Sequence, residues 1–188
     1  MIARDVHLPL PSWVDEVLGA PREYRGTEEK MALAIRLSAE NVEREAGGGP
    51  FGAAVFRMDT GALVSVGMNS VVRLHNSALH AEVVALMLAH EALGLYSFRA
   101  PGAPPLELVT SCQPCLMCFG MTLWSGVQRL VCGATREDAM ELGFDEGPLT
   151  EESYRHLQKA GVEVVRGVLR SEARAVLARY RELGRPIY

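Results

Sequence analysis

Apolar residues recur along this chain with two spacings, and their alternation predicts the order of its elements. Spacings of three and four residues predict helices, whereas short apolar runs bounded by glycine, proline or asparagine predict strands. The predicted helices cover residues 27–46, 80–93, 114–124, 150–160 and 171–183. The predicted strands cover residues 51–58, 62–68, 106–110, 127–132 and 162–168. Two strands joined by a tight turn therefore precede an alternation of helices and strands.

This order predicts an α/β protein: a three-layer α/β/α sandwich around a central mixed sheet of five strands. The first two strands are too apolar for an exposed hairpin, so helices are expected on both faces of the sheet. Residues 1–23 predict an extended N-terminal arm with at most a short helix over 13–18, and residues 24–188 form the predicted domain. The stretch up to Gly147 that follows the fourth strand is expected to be irregular, and Ser171 is expected to cap the last helix.

Composition and charge narrow the class of protein. A chain of 188 residues that is 48% hydrophobic can build one core without disulfides. Its net charge of −4 is not that of a protein that binds phosphate backbones. The N-terminus lacks the apolar segment of a signal peptide, and no run reaches the roughly 18 apolar residues of a membrane span. We therefore expect a cytoplasmic protein with no membrane or nucleic-acid partner.

Three of the four cysteines fall within residues 112–118, a clustering that indicates metal chemistry in a reducing compartment. Cys115 and Cys118 are three residues apart at a predicted helix start, so their thiolates lie on one side of a turn. Backbone N–H groups there stabilise the negative charge of a thiolate. His80 begins another predicted helix. One imidazole and two thiolates can hold zinc and leave its fourth tetrahedral position open to water.

Glu82 follows His80 by two residues and is suited to take a proton from that water and pass it to a substrate. Together, His80-Ala81-Glu82 and Pro114-Cys115-Leu116-Met117-Cys118 form the H-x-E…P-C-x-x-C signature of zinc nucleobase deaminases. On these motifs the chain resembles the cytidine deaminase-like superfamily. The resemblance implies one zinc per chain on His80, Cys115 and Cys118, with Glu82 as the catalytic proton shuttle.

Two other kinds of metal site could use these cysteines: an iron–sulfur cluster and a structural zinc site. A ferredoxin-type cluster would need a fourth cysteine three residues after Cys118, followed by proline, and the sequence has neither. A structural zinc site would need a fourth protein ligand, which Cys112 could supply by its spacing. In the superfamily the first cysteine of this run is not a ligand, so we expect Cys112 to be a small buried residue.

From residue 27 to the end, the resemblance narrows toward the bacterial guanine deaminase branch. It rests on Gly49-Pro50-Phe51, on Gly67-Met68-Asn69, on Trp124 and on Gly143-Phe144-Asp145-Glu146. It implies that Phe51 lines the base pocket, that Asn69 binds the purine edge, and that a second catalytic carboxylate comes from Glu146, with Asp145 as the substitute. The full set of substrate-binding residues that it implies is Phe51, Asn69, Trp124, Asp145 and Tyr188.

Three of these residues could also have an ordinary structural role. Phe51 and Trp124 could be core aromatics, and Asn69 could form an Asx turn. The sequence departs from the superfamily at Gln113, where glutamate is usual, and at Ser77-Ala78-Leu79, where Pro-Thr-Ala is usual. Neither departure changes a zinc ligand, but both bear on the pocket.

The resemblance implies hydrolysis of a free nucleobase, most directly guanine to xanthine and ammonia. It also implies a homodimer in which the C-terminal segment is exchanged and Tyr188 closes the partner's pocket. Ammeline or another s-triazine, cytosine or cytidine, and tRNA adenosine stay open as substrates. Outside the enzymes, a non-catalytic zinc-stabilised binding domain stays open, and release of ammonia separates it from a deaminase.

Overall fold

The computed structural model describes residues 2, 4–20 and 23–188, and its elements follow the alternation in the sequence. Within these residues the chain forms seven helices and five strands. In chain order they are α1 (Val14–Leu18), α2 (Thr27–Arg44), β1 (Gly52–Arg57), β2 (Leu63–Met68), α3 (Ala81–Leu93), β3 (Leu106–Cys112), α4 (Leu116–Ser125), β4 (Arg129–Ala134), α5 (Arg136–Met140), α6 (Glu151–Lys159), β5 (Glu163–Val165) and α7 (Arg170–Glu182).

The five strands form one mixed sheet in the order β2-β1-β3-β4-β5. β1 pairs antiparallel with β2, because a tight turn joins them, and it also pairs antiparallel with β3. β3, β4 and β5 pair parallel, because helical crossovers connect them. The predicted three-layer sandwich with a mixed five-stranded sheet is confirmed.

The side chains of each strand alternate between two cores. Phe56 and Val109 face a core that contains residues of α1, α2 and α7. Val55 and Leu108 face the opposite core, which contains residues of α3, α4 and α6. The sheet is therefore covered on both faces, as its apolar strands predict. None of the helices in the described ranges combines the length and apolar character needed to cross a membrane.

The N-terminal arm packs on the domain. Trp13 and Val17 are buried in the core beside α2, and the Trp13 indole donates a hydrogen bond of 2.8 Å to Glu45. The short helix predicted near residues 13–18 is α1. Residues 1, 3, 21 and 22 of the predicted arm lie outside the described residues.

The structure corrects the sequence prediction at three places near the C-terminal half. β5 is shorter than predicted, and the last helix begins at Arg170, after Leu169 in a left-handed conformation, so Ser171 is not its cap. The stretch predicted to be irregular contains α5. This helix has only five residues, too few to show a periodic apolar face, and a reciprocal cap starts it: Thr135 N–H donates to Asp138 (2.8 Å), and Asp138 N–H donates to the Thr135 hydroxyl (3.3 Å).

One glycine fixes the distance between α3 and the sheet. A Cβ atom at Gly67, on β2, would collide with the backbone of Ala81 and Ala85 in the first turns of α3. Only glycine lets the helix approach the strand this closely. The start of α3, where the predicted metal ligand lies, therefore rests directly on β2.

Candidate active site

Two helix starts meet at one edge of the sheet and bring the predicted metal ligands together. His80 is the N-cap residue of α3, and Cys115 is the N-cap residue of α4. Cys118 lies one turn into α4 and is fully buried. His80 Nδ1 lies 3.5 Å from Cys115 Sγ, and the ligand atoms of all three residues lie within 4.8 Å of one another.

This arrangement fits a zinc ion. Tetrahedral zinc, with bonds of about 2.3 Å to sulfur and about 2.05 Å to nitrogen, separates the two kinds of ligand atom by about 3.5 Å. The distance between His80 Nδ1 and Cys115 Sγ matches that value. Cys112 is not a fourth ligand, because it is buried outside this group and its thiol contacts the Thr135 carbonyl at 3.3 Å. Three protein ligands are typical of a catalytic zinc site.

Electrostatics prepare these groups for metal binding and proton transfer. A hydrogen bond from Cys118, together with His80, lowers the pKa of Cys115 to about 4, so Cys115 is a thiolate at neutral pH. Cys118 keeps the proton of that bond, which raises its pKa. Burial raises the pKa of Glu82, and the nearby Cys115 thiolate adds to the effect. Glu82 is thus a carboxyl group that can hold a proton beside the metal ligands.

The pocket next to the ligands combines aromatic walls with polar groups. Its lining residues are Phe51, Asn69, His80, Glu82, Gln113, Cys115, Phe144, Asp145, Glu146 and Tyr188. The Phe144 ring contacts Phe51 and Tyr188 edge to face, with centroids 5.1 and 5.3 Å apart. The free volume is about 20 Å³, enough for about one water molecule. In this conformation the pocket is narrow.

The two acids of the predicted acidic motif differ in their surroundings. Glu146 is 6% exposed, and burial raises its pKa to about 8, with further contributions from Cys115 and Glu82 that Arg136 partly offsets. Asp145 is exposed, and its carboxylate accepts a hydrogen bond of 2.9 Å from the Gly147 N–H. Glu146 is therefore the buried acid of this motif, whereas Asp145 shapes the turn.

The C-terminal tail reaches the pocket of its own chain. The Arg185 guanidinium donates hydrogen bonds of 2.9 Å to the Val42 and Glu45 carbonyls at the end of α2. Tyr180 donates a hydrogen bond of 2.7 Å to the Pro186 carbonyl. Tyr188 follows, and burial raises the pKa of its hydroxyl, which forms a hydrogen bond with Asn69. Arg185 and Pro186 thus attach the tail to the domain, and Tyr188, two residues further along, borders the pocket.

The structure does not bring Trp124 to this pocket, which corrects the expectation for a single chain. Trp124 lies at the far end of α4 and is 79% exposed. The buried face of α4 runs through Cys118, Thr122 and Ser125, a spacing that turns Trp124 toward solvent. The other residues predicted for the site, from Phe51 to Tyr188, lie around the pocket or at the metal site beside it.

Sequence reasoning missed residues that support the site from outside. Asn41, on the buried face of α2, donates hydrogen bonds of 2.9 Å to the carbonyls of Gly49 and Asn69 and so ties together the two strand ends that bear pocket residues. Phe144 and Gln113 line the pocket, although the sequence marked them only as part of a motif and as a departure. A polar asparagine at helical spacing from apolar residues of α2 is a signal that could have identified Asn41.

The sequence around this site matches a known protein family. Residues 25–134 match the family described as the cytidine and deoxycytidylate deaminase zinc-binding region. The chain belongs to this deaminase family. The matched region contains His80, Glu82, Cys115 and Cys118, and the predictions of the family and of a zinc-dependent hydrolytic deaminase are confirmed.

Relatives of this deaminase include guanine deaminases. The guanine deaminase of Bacillus subtilis (strain 168) is 37% identical over 136 residues, which cover 72% of this chain and 80% of the relative. A structure of guanine deaminase from Nitrosomonas europaea has a TM-score of 0.90 at 41% identity and covers 97% of this chain and 99% of its own. The structure of a mutant protein in complex with 8-azaguanine has a TM-score of 0.91 at 40% identity. It covers 97% of this chain and 99% of its own. The similarity therefore extends beyond residue 134 to the side of the pocket that Glu146 forms.

Proposed function

We propose that this deaminase hydrolyses guanine to xanthine and ammonia. The observation that carries the proposal is a second buried carboxyl group, Glu146, facing the same pocket as Glu82 and Asn69. A flat base fits between aromatic walls, and the Asn69 amide offers both a donor and an acceptor for a purine edge. The similarity to guanine deaminases of two bacteria supports the same substrate.

The proposed mechanism divides the proton transfers between two carboxyl groups. His80, Cys115 and Cys118 would hold the zinc ion, which would lower the pKa of a water molecule and so supply the nucleophile. Glu82 takes the proton of this water and delivers it to a ring nitrogen of the base. Glu146, whose pKa is raised by burial, donates its proton to the leaving amine and regains one from the added hydroxyl group as the carbonyl of the product forms. One water is consumed, and the amine departs as ammonia.

We propose that Tyr188 opens to admit the base and then closes over it. The pocket is narrow, and the contact between Tyr188 and Asn69 lies at its edge, so movement of Tyr188 would give the base room to enter. Closure after binding excludes water and orders the base. The bonds of Arg185 to α2 support closure within one chain. Exchange of the tail between two subunits is the alternative, and mixing an inactive Glu82→Gln chain with a tail-deleted chain tests it, because only exchange restores activity.

We further propose that the enzyme is a homodimer and that the outer face of α4 is its interface. Leu116, Met117 and Trp124 are large apolar side chains that this face exposes, and such clusters mark interaction surfaces. Trp124 then belongs to the interface rather than to its own chain's pocket. Light scattering should report a dimer that Trp124→Glu dissociates. Tyr96→Glu, at an isolated exposed aromatic, is the control and should leave the dimer intact.

We also propose that the protein acts in the cytoplasm on a free nucleobase, without a nucleic-acid or membrane partner. All four cysteines are free, and the two thiolate ligands need a reducing compartment to stay so. The net charge of −4 offers little attraction to a phosphate backbone.

An ammonia-release assay tests the substrate. Guanine, ammeline, adenine, cytosine, cytidine and tRNA are each incubated with the zinc-loaded protein, with the Glu82→Gln variant as the control. We expect guanine to give the highest kcat/KM. Faster release from ammeline, cytidine or tRNA would replace guanine with that substrate. No release from any of them would favour the zinc-stabilised binding domain.

A further inference from the structure

A buried arginine lies behind the loop that carries Glu146. Arg136, the first residue of α5, is 8% exposed. Its guanidinium donates hydrogen bonds of 2.6 Å to the Gly147 carbonyl and 2.8 Å to the Leu149 carbonyl. Both acceptors belong to the three residues that follow Glu146. The arginine therefore holds the backbone of this loop directly.

The position of this charge is not explained by an ordinary ion pair. Burying a guanidinium is costly unless hydrogen bonds and opposite charge compensate for the lost hydration. Both hydrogen bonds of the Arg136 guanidinium go to carbonyl oxygens, and its Nε has no hydrogen-bond partner among the described residues. The guanidinium also lowers the pKa of the Glu146 carboxyl group against the effect of burial. The guanidinium thus acts on Glu146 and on the loop that bears it.

The same loop is tied to the metal site from its other side. The Leu116 N–H, next to Cys115, donates a hydrogen bond of 3.0 Å to the Glu146 carbonyl. Gln113, two residues before Cys115, accepts a hydrogen bond of 3.1 Å from the Arg136 N–H. Arg136 is thereby linked both to the segment that carries Cys115 and to the loop that carries Glu146.

We propose that Arg136 is a positioning residue, which sets the place of the Glu146 carboxyl relative to the metal ligands. This inference rests on the proposed catalytic role of Glu146. Loss of Arg136 frees the loop and moves Glu146, so it slows turnover more than it weakens binding of the base. Arg170 provides a matched comparison, because it borders the same side of α5 but binds the Asp138 carboxylate at 2.9 Å and none of the loop carbonyls.

The test compares kcat and KM for guanine in Arg136→Met, Arg136→Lys and Arg170→Met, with the zinc content of each variant. Arg136→Met should lower kcat by about 10²-fold, the effect of a small misplacement of a reacting group, with KM little changed and zinc retained. Arg136→Lys keeps a charge that reaches one carbonyl and should recover about a tenth to a half of the parent kcat. Arg170→Met should keep kcat within about twofold of the parent, because Arg170 does not bind the loop of Glu146 and Arg174 still pairs with Asp138.

A double-mutant cycle with Glu146→Gln separates positioning from a general effect on the fold. If Arg136 acts through Glu146, adding Arg136→Met to Glu146→Gln should lower kcat no further. An equal loss of kcat in both backgrounds, or loss of zinc in both Arg136 variants, would overturn the inference. Full activity of Glu146→Gln alone would instead refute the catalytic role of Glu146, so the two failures are distinguishable.

Discussion

His80 and Cys115, on one side of the pocket, start two helices that pack on the sheet, whereas Glu146 and Tyr188, on the other side, lie on a loop and at the chain end. The backbone ladders of α3 and α4 hold the first side. A few side-chain bonds to carbonyls hold the second, from Arg136 and from Arg185.

This difference separates two kinds of dependence within one site. The metal side needs intact helices and intact ligands, so its failure removes the zinc. The other side depends on single contacts between remote parts of the chain, such as Arg185 with Val42, 143 residues apart. Its failure should leave the zinc in place and change only turnover. Measuring zinc and activity together therefore tests the comparison.

The largest effect should follow removal of a ligand. His80→Ala or Cys115→Ala leaves too few donors for a tetrahedral site, so zinc and activity should be lost together. Elemental analysis should find about one zinc per chain in the parent and almost none in these variants. Cys112→Ala is the matched control and should keep its zinc. An iron-loaded protein with a visible absorption band would contradict the zinc assignment.

The next effect should come from the proton shuttle. Glu82→Gln removes a general acid–base group but no ligand, so kcat should fall by about 10²–10⁴-fold. Zinc content and the circular dichroism spectrum should match the parent. Near-normal turnover by Glu82→Gln would show that another group moves the proton.

Deleting residues 185–188 should have a smaller effect, confined to the second side. The truncated protein should fold and hold zinc, but its kcat/KM for guanine should fall by at least about tenfold, because the pocket no longer closes. Arg181→Gln, at an exposed position near the end of α7, is the control and should behave as the parent. Full activity of the truncated protein would remove the tail from the mechanism.

The smallest effect should come from the cap of α5, the helix that carries Arg136. Ion pairing with Arg170 and the cap bond from Thr135 lower the pKa of Asp138 to about 2. Its contribution to stability is therefore present above the ordinary aspartate pKa and is lost as the pH falls through about 2.

Asp138→Asn tests that contribution. The substitution should lower the free energy of unfolding by about 1 kcal/mol at pH 7, which corresponds to a Tm lower by about 2–4 °C. The difference between variant and parent should shrink as the pH falls below about 4. A difference that stays constant with pH would mean that the carboxylate charge is not its source.

Sequence patterns could predict the metal side because its information is local. His80 and Glu82 are two residues apart, Cys115 and Cys118 are three apart, and each pair opens a helix that apolar periodicity reveals. The mixed five-stranded sheet followed from a short turn and from the alternation of helices and strands. These elements depend on neighbours in the chain, so their physics is visible in a window of residues.

The second side could be predicted only in part, for a physical reason. The acidic motif and Tyr188 were recognisable by resemblance, but the contacts that hold them join distant residues and leave no periodic pattern. Arg136 looked like part of an irregular stretch because a reciprocal cap, rather than an apolar face, starts α5. The Thr135-x-x-Asp138 spacing was the available signal. Trp124 lies outside the pocket of its own chain, an orientation that depends on which face of α4 is buried.

Gly67 shows how a backbone position far from the reaction can control it. Any side chain there would push the first turns of α3 away from β2 and carry His80 with them. The distance between the His80 imidazole and Cys115 therefore depends on how closely α3 packs on β2. A saturation mutagenesis screen should find Gly67 nearly as intolerant as a ligand, although it donates nothing to the metal. Among relatives of this chain, a different residue at this position would indicate a different arrangement of the metal ligands.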